Sequence, residues 1–382
     1  MDTVLLVSAS KLKYSSSEST RMLQISKILN KYGISTEIVG RKSESCDDNI
    51  EGENIIAIRP ILKGFKGELL FQFQLQIFVF QKMLFCKKIS KAILRGYYLV
   101  FLEFCLKLIG KKIIYDFHGF RHIEQEADGR LLRSKITKIF DKLKLIVPDD
   151  IIAVSDGVAT QIPKKYKQKM IFVPNGVDLD LFKIALSKES KHETFEKYKL
   201  PTDKKIVGFV GMWGPWIGIK DMLDACQFCN NIQILIVGNG YNYEELVEST
   251  KNNSSITWTG IVDHNESVKL IKLMDICVTP YNKEMCYAKE KGFFQTRKNK
   301  EYIAAGKPII MSNIKGREQF LEGENVLLYE SGNPEDLANK IELLVRDELL
   351  YKKIHENNKK LSKEFSWERL IDKSGLISIL KE

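Results

Sequence analysis

Short apolar runs alternate with amphipathic segments along the first half of the chain. Val4–Val7 and Thr36–Val39 are apolar runs. Between them, Ser19–Tyr32 repeats apolar residues at helical spacing and ends at Gly33. This alternation predicts βαβ units built on a parallel sheet. The later runs in this half that predict strands are Ile55–Ile58, Ala92–Leu94, Ile113–Tyr115, Asp150–Val154 and Met170–Val173.

The alternation stops at the charged segment 186–205 and then begins again. The strands predicted after it are Ile206–Val210, Ile232–Val237, Ile256–Thr259, Ile276–Thr279, Ile309–Ser312 and Val326–Tyr329. The pattern therefore predicts an α/β protein with two Rossmann-like domains, residues 1–185 and 186–362, whose parallel sheets face a central cleft. An amphipathic helix at Trp367–Leu380, within the last segment 363–382, is expected to pack back on the N-terminal domain.

One apolar segment fits two interpretations. Leu69–Phe85 is apolar nearly all round if it is helical, and Lys82, Lys87, Lys88 and Lys91 accompany it. It predicts either a core helix of the first domain or a peripheral contact of residues 69–91 with an anionic membrane. The net charge of +10 over 382 residues favours anionic partners, but it does not choose among nucleic acid, phosphate-bearing substrates and an acidic membrane surface.

Cysteine usage and the first residues predict a compartment. The seven cysteines are scattered, which is typical of a protein in the reducing cytoplasm. The inner face of the cell membrane is a further location that the sequence leaves open. Cys226 and Cys229 form a lone Cys-x-x-Cys pair, which predicts buried helical thiols rather than a zinc or redox site. The first apolar run is short and predicts a strand rather than a signal peptide.

The segment Lys298–Pro308 carries the clearest candidate chemistry. Arg297, Lys298 and Lys300 place positive side chains at the positive end of a predicted helix, which favours a bound anion such as a diphosphate. Glu301, in the first turn, is placed to accept hydrogen bonds from ribose hydroxyls. The alternative is a solvated charge run on an exposed helix end.

Glycines punctuate the predicted second domain. Gly211, Gly238 and Gly260 follow predicted strands, where the absence of a side chain lets the backbone approach a ligand closely. Gly306 is predicted to end the helix of the preceding segment in a left-handed conformation, before Pro308 prevents its continuation.

Taken in order, these segments resemble the retaining glycosyltransferases of family 4, which have the GT-B fold. Pro174–Asp178 and Phe365–Glu368 add to the resemblance, and Trp216-Ile217-Gly218 points to a Trp-x-Gly subgroup. The resemblance covers nearly the whole chain and is strongest from Ile151 to Ser312. It implies transfer of a hexose from a nucleoside-diphosphate sugar to a lipid-linked or polysaccharide acceptor, with retention of anomeric configuration. It implies no metal or other cofactor, and we expect no nucleic-acid partner.

The resemblance also implies roles for single residues. In the second domain, backbone at Gly260 and Val262 meets the base, Glu301 holds the ribose and the following helix start meets the diphosphate. The implied donor-binding residues are Gly211, Lys220, Gly260, Val262, Arg297, Lys298, Glu301 and Tyr302. His118, directly after a predicted strand, is the implied catalytic residue beside the transferred sugar, and Ser16 and Ser17 are implied on the acceptor side.

This chain departs from the family pattern at three positions. Met212 and Ile217 stand where the family often has an Arg and a Lys, and Phe293 stands where a second Glu is common. Lys220, Arg297 and Lys298 are predicted to supply the missing charge, and Glu290 is the candidate for sugar contact. These departures leave open a non-catalytic nucleotide-sugar-binding subunit and, as a second alternative, a nucleotide-sugar epimerase of the same fold.

Overall fold

The chain forms two α/β units. The computed structural model describes residues 2–12, 17–42, 54–62, 64–127, 129–284, 297–314 and 323–382. Unit 1 comprises Met1–Asn175 and Trp367–Glu382, and unit 2 comprises Gly176–Ser366. The first division therefore follows Asn175, whereas the apolar pattern placed it after residue 185.

Unit 1 contains a seven-stranded parallel sheet. Its strands are β1 (Thr3–Leu12), β2 (Ser35–Lys42), β3 (Ile55–Ile58), β4 (Ile89–Arg95), β5 (Lys112–Phe117), β6 (Asp150–Ala153) and β7 (Met170–Phe172). Their order in the sheet is β3-β2-β1-β4-β5-β6-β7. The helices between them are α1 (Ser17–Lys31), α2 (Gly64–Phe85), α3 (Val100–Leu108), α4 (Arg121–Ala127), α5 (Leu131–Ile146) and α6 (Asp156–Gln161).

The helices of unit 1 cover the two faces of this sheet. Successive residues of a strand point to opposite faces, so neighbours in β5 report both layers. Ile114 packs in one cluster with α1 residues such as Met22. Ile113 packs with buried residues of α2 and α3, and Tyr115 packs with Leu145 of α5. Helices α2, α3 and α5 therefore share one face, and α1 lies on the other.

Helix α2 buries only one of its faces. Phe71, Leu75 and Val79 lie in the core, whereas Phe73 and Ile77 are exposed. The core-helix interpretation therefore describes the inner face. Two of the four lysines expected beside it, Lys82 and Lys91, have partners within the protein.

The lysines of residues 69–91 do not form one surface. Lys82 pairs with Glu37 at 2.8 Å. Lys91 lies in β4 and is buried, and its Nζ donates to the carbonyl oxygen of Leu380 at 2.6 Å. The expectation that Lys91 faces a membrane is wrong, because β4 turns that side chain into the protein. Across the described ranges, no helix combines the length and apolarity needed to cross a membrane.

Unit 2 contains a six-stranded parallel sheet. Its helices are α7 (Asp180–Lys183), α8 (Lys188–Tyr198), α9 (Ile219–Ala225), α10 (Tyr243–Thr250), α11 (His264–Leu273), α12 (Arg297–Ala304), α13 (Pro334–Arg346) and α14 (Glu348–Ser362). Its strands are β8 (Lys205–Val210), β9 (Ile232–Val237), β10 (Ile256–Gly260), β11 (Ile276–Thr279), β12 (Ile309–Ser312) and β13 (Val326–Tyr329). The order β10-β9-β8-β11-β12-β13 reverses direction between β8 and β11, and ligands of such sheets bind beyond the carboxyl ends of the strands at this point.

The end of the chain returns to unit 1. Two helices, α15 (Trp367–Lys373) and α16 (Leu376–Lys381), stand where the pattern predicts one. Gly375, with a φ of 79°, separates them because a left-handed residue cannot continue a helix. Trp367, Ile371 and Leu376 are buried in the same cluster as the apolar residues of α1.

Candidate functional site

Three glycines lie where β8, β9 and β10 reach their carboxyl ends. The N–H of Gly211 donates to the carbonyl oxygen of Val237 at 2.9 Å, and the N–H of Gly238 donates to that of Gly260 at 2.9 Å. A Cβ on Gly238 would lie 2.2 Å from the carbonyl oxygen of Gly211, and its φ is 124°. The three ends are thus packed together as bare backbone, and no larger residue fits at Gly238.

These hydrogen bonds limit what the glycine backbone can offer to a ligand. Since the N–H groups of Gly211 and Gly238 are used inside the sheet edge, they are not free donors for a phosphate. The exposed backbone lies one step further on, in the loop from Gly260 to Val262, where Ile261 is 70% exposed. Contact of Gly260 and Val262 with a base stays a prediction.

Lys298 lies at the point where the strand order reverses. Its Nζ is 4.1 Å from the centre of the Phe209 ring in β8. The same Nζ is the nearest atom, at 3.8 Å, to the position that a Cβ on Gly211 would take. Helix α12 begins beside it at Arg297, so an ammonium group and a helix start lie together at the switch point, where an anion is favoured.

Glu301 is held by two basic side chains. Its Oε1 accepts a hydrogen bond from Nε of Arg297 at 2.7 Å and another from Nε2 of His264 at 2.9 Å. The Glu301 side chain is 8% exposed. Burial alone would raise the pKa of Glu301, but the charge of Arg297 and the bond from His264 outweigh it and hold that pKa below its usual value. Glu301 is therefore an ionised carboxylate with a fixed orientation.

His264 is a site residue that sequence reasoning missed. It begins α11, where Asp263 caps the helix by accepting from the N–H of Glu266 at 2.9 Å. This cap places the imidazole against Glu301, which is 37 residues later. The only signal in the sequence is that His264 comes shortly after the strand that ends with Gly260.

Two predicted donor-binding residues lie elsewhere. Tyr302 is fully buried, and its hydroxyl oxygen accepts a hydrogen bond from the N–H of Val210 at 2.8 Å, so it supports β8 from behind. Lys220 is 74% exposed and pairs with Asp224 at 2.7 Å, one turn along α9. Direct donor contact is corrected for Tyr302, which has no exposed surface, whereas donor contact of the exposed Lys220 stays a prediction.

Lys220 instead lines a separate cavity of about 690 Å³ in unit 2. The cavity extends along α9 and α10 and begins at Trp213, just after the glycine edge. Gly211, Lys298 and Glu301 are not among the residues that line it. A cavity of this size can hold a small molecule, and it borders the switch point without including it.

The helix start of α12 is less open than its charges suggest. Lys300 is 2% exposed, with its Nζ 5.4 Å from the centre of the Phe365 ring. The side-chain amide oxygen of Asn299 accepts from the hydroxyl of Thr279 at 2.6 Å, which joins α12 to β11. Of the three cations predicted to face an anion, Lys298 therefore lies at the switch point, Arg297 pairs with Glu301, and Lys300 points into the protein.

In unit 1, His118 follows β5 at the carboxyl edge of the sheet. Its Nε2 lies 3.0 Å from Oδ2 of Asp116, and its side chain is 25% exposed. Burial lowers the pKa of His118, although the charge of Asp116 acts against it. A neutral imidazole whose Nε2–H donates to Asp116 presents Nδ1 as a hydrogen-bond acceptor.

Arg21 holds Asp116 and was also missed. Both side chains are fully buried, with Nη2 of Arg21 2.9 Å and Nε 2.9 Å from the carboxylate oxygens. Nη1 donates to Asn175 and Nη2 to the carbonyl oxygen of Val173. Burial would raise the pKa of Asp116, but the Arg21 charge and the bonds from Arg21 and His118 hold it far below its usual range. The pair fixes the orientation of His118.

Several predicted positions contribute no described side chain. Ser16, Glu290 and Phe293 lie outside the described residues, and Ser17 begins α1 without a described side chain. Within the described ranges, no three His, Cys, Asp or Glu side chains form a group that could hold a metal ion.

The Cys-x-x-Cys pair differs from its prediction. Cys226 and Cys229 follow the end of α9 at Ala225 and are partly exposed, so they are not buried helical thiols. Burial raises the pKa of Cys229 to about 12. A thiol with such a pKa stays protonated near neutral pH and is a poor nucleophile.

Comparison with known proteins finds a family match in unit 2. The family of glycosyl transferases group 1 matches residues 190–361. An uncharacterized glycosyltransferase of Methanocaldococcus jannaschii is 28% identical over 249 residues, which cover 64% of this chain and 64% of the relative. The capsular polysaccharide biosynthesis glycosyltransferase CapM of Staphylococcus aureus is 28% identical over 252 residues, 61% of this chain and 63% of the relative. The chain thus spans less than two thirds of the length of both relatives.

A solved structure shows the same fold. HepE of Anabaena, in complex with UDP and glucose, has a TM-score of 0.73 to this protein at 15% identity, covering 98% of each chain. At this identity the likeness concerns the fold alone. The predicted fold class, GT-B with two Rossmann-like α/β units, is confirmed.

Proposed function

We propose that this protein, whose residues 190–361 belong to the glycosyl transferases of group 1, moves a hexose from a nucleoside-diphosphate sugar to a lipid-linked or polysaccharide acceptor. Retention of anomeric configuration is part of the proposal and comes from the resemblance to family 4 and its Trp-x-Gly subgroup. The donor class, the acceptor class and a cytoplasmic location without a metal or other cofactor are likewise proposals.

The observation that carries the proposal is the group around Glu301 at the edge of the second sheet. Its carboxylate accepts hydrogen bonds and suits the two hydroxyls of a ribose, while Arg297 and His264 keep it ionised and oriented. Lys298 adds a positive charge at the switch point for a diphosphate. A carboxylate that can accept from hydroxyls and a cation that can bind phosphate lie at one sheet edge, and this favours a nucleoside diphosphate as the ligand.

The same residues suit departure of the leaving group. When the bond between the anomeric carbon and the phosphate oxygen breaks, the electron pair leaves with the diphosphate and the carbon becomes oxocarbenium-like. The ammonium of Lys298, held in place before the reaction, stabilises the growing negative charge. The acceptor hydroxyl forms the new bond to that carbon and gives its proton to the departing diphosphate oxygen, so that the step balances. For His118 we propose a contact with a hydroxyl of the transferred sugar through Nδ1.

The names of the relatives indicate which donors and acceptors to test first. HepE is described with UDP and glucose, so uridine donors are the first to test. CapM is named for capsular polysaccharide biosynthesis, which supports a growing polysaccharide as acceptor. The family match favours neither the epimerase nor the non-catalytic subunit.

Calorimetric titration of the full chain with uridine, guanosine and adenosine diphosphates and their sugars tests the donor class. We expect one base to bind with a dissociation constant on the order of 1–100 µM, the range in which enzymes meet their substrates. Transfer is then followed with the bound donor and a lipid or glycan extract. Failure of every nucleotide to bind would refute the donor site, whereas binding without release of nucleoside diphosphate in any extract would favour the non-catalytic subunit.

A further inference from the structure

The apolar face of helix α5 points outward, toward solvent. The residues on its outer side are Leu132, Ile136, Ile139 and Ile146, which are 81%, 63%, 61% and 55% exposed. They recur at spacings of four, three and seven residues, which forms one stripe along a helix. The inner side buries three polar residues, Ser134, Asp141 and Lys144, together with Leu145. This is the reverse of the usual arrangement, in which the apolar stripe faces the core.

Polar contacts hold α5 in this orientation. Nζ of Lys144 lies 3.8 Å from the centre of the Tyr97 ring, a cation–π contact shielded from water. Asp141 accepts hydrogen bonds from the backbone N–H of His122 at 3.1 Å and from its ring at 2.8 Å. The hydroxyl of Ser134 donates to Glu126 at 2.6 Å. The outward position of the apolar stripe therefore follows from specific partners on the inner side.

Positive charges flank the stripe. Arg133, Lys135, Lys138 and Lys142 are exposed, and Asp141, the one acidic residue in the sequence of α5, is buried. The neighbouring α3 differs on its inner side, which is largely apolar, and its one lysine, Lys107, pairs with Asp149. The outer residues Phe101, Phe104 and Leu108 of α3 are 70%, 54% and 72% exposed, while its one acidic residue, Glu103, is fully buried.

Both helices belong to the same face of the first sheet, as the packing of β5 shows. Lys144 of α5 also lies close enough to Glu103 of α3 for the charge of Glu103 to act on the pKa of Lys144. The exposed apolar residues of α3 and α5 therefore form one outer layer, and the exposed cations of α5 give it a cationic border. Exposed apolar surface of this extent marks a binding surface in soluble domains.

We propose that the outer layer of α3 and α5 binds the interface of an anionic membrane, with α5 lying parallel to its plane. The apolar stripe would enter the acyl boundary and the flanking cations would meet anionic headgroups. A stripe along 16 residues spans about 24 Å, a length that a flat surface fits. A second copy of this chain is disfavoured as the partner because both copies carry the same cationic border and a net charge of +10.

This surface differs from the one that the sequence indicated at residues 69–91. In α2, Lys82 pairs with Glu37, and Lys91 is buried in β4. Helix α5 has four exposed cations beside its stripe, so the geometry points to α5 as the principal contact. The inference concerns a binding surface and does not depend on the proposed sugar transfer.

Vesicle flotation without any nucleotide tests the apolar stripe. The full chain is expected to float with vesicles of phosphatidylcholine and phosphatidylglycerol and to stay behind with phosphatidylcholine alone. Leu132→Glu should lower the partition onto anionic vesicles by about tenfold or more, because a charge replaces a membrane-inserted leucine. The matched control is Leu349→Glu in α14, since Leu349 is also 81% exposed, and it should bind as the unmodified chain does.

A second pair of variants tests the cations. Lys135→Gln with Lys138→Gln should weaken binding by about fivefold for each charge removed, whereas Lys188→Gln with Lys191→Gln, an exposed pair of the same spacing in α8, should leave binding unchanged. Because all of these positions are exposed, thermal unfolding should show that every variant folds.

Three results would overturn the proposal. The first is that the unmodified chain fails to float with anionic vesicles. The second is that Leu132→Glu binds as well as Leu349→Glu, or that Phe73→Glu in α2 abolishes binding while Leu132→Glu does not. The third is a dimer in light scattering that Leu132→Glu dissociates, without any binding to lipid. Nucleotide titration of the same samples is independent of these results, so failure of the donor site would be seen separately.

Discussion

Each α/β unit has an arginine, an acid and a histidine at the carboxyl edge of its sheet, but the two groups are buried in opposite ways. In unit 1, Arg21 and Asp116 are both 0% exposed and the histidine, His118, is 25% exposed. In unit 2, the arginine, Arg297, is 19% exposed, while Glu301 and its histidine are 8% and 9% exposed.

This difference in burial predicts different roles for the two groups. The sealed pair of unit 1 cannot touch a ligand, so it acts by holding the exposed histidine and the end of β7. In unit 2 all three side chains keep some exposed surface, with Arg297 the most exposed and Glu301 and His264 about equally buried. The first group should therefore affect folding above all, and the second should affect ligand binding.

The largest effect is expected from Arg21→Met. It removes the guanidinium that holds the fully buried carboxylate of Asp116, leaving His118 and, at 3.8 Å, Arg95 beside it, which should lower the free energy of unfolding by about 3–5 kcal/mol. Denaturant titration measures this change. The control is Lys31→Met, which removes a pair with Glu368 whose members are 61% and 46% exposed, and it should change stability by about 1 kcal/mol or less. Equal losses in both variants would contradict the structural role of the sealed pair.

A smaller effect, and on binding rather than folding, is expected from Glu301→Gln. Loss of the ionised acceptor should weaken nucleotide binding by about 10- to 100-fold, since hydrogen bonds to a charged group are worth about 1.5–3 kcal/mol. Titration calorimetry checks this. Glu266→Gln is the matched control, because the Glu266 side chain is 10% exposed and accepts from Lys197 and Tyr198. If the control loses as much affinity, or Glu301→Gln loses none, the donor placement is wrong.

The smallest effect separates two lysines. Lys298→Met should weaken binding of a nucleoside diphosphate by about tenfold while leaving binding of the nucleoside unchanged, because only the diphosphate meets the ammonium. Lys220→Met should change neither, as Lys220 pairs with Asp224 in solvent. A larger loss with Lys220→Met would place the diphosphate in the cavity beside α9 and restore the role that the family resemblance implies for Lys220.

Local features of the chain were predictable because they depend on near neighbours. The strands of both sheets appear where apolar runs predicted them. Helix α12 stops at Gly306, whose φ is 70°, as expected of a left-handed stop before Pro308. The single helix predicted at the end of the chain was wrong because apolar periodicity continues across Gly375, whereas the backbone does not.

Contacts between distant residues could not be predicted in this way. Arg21 meets Asp116 across 95 positions, and His264 meets Glu301 across 37. No spacing rule connects such pairs, because the strand order brings their ends together. The burial of Lys300 and Tyr302, next to the accessible edge at Lys298, likewise depends on which way α12 is turned against β8.

The sequence by itself determined the parallel α/β architecture and the helix stop at Gly306, and it singled out the segment around Glu301 as a candidate site. Only the tertiary structure decided which cation lies at the switch point, which histidine supports Glu301 and which side of α5 meets solvent. The physical reason is the same throughout. Periodicity tells that a helix has an apolar side, but the partners of its polar side, such as Tyr97 for Lys144, decide where that apolar side points.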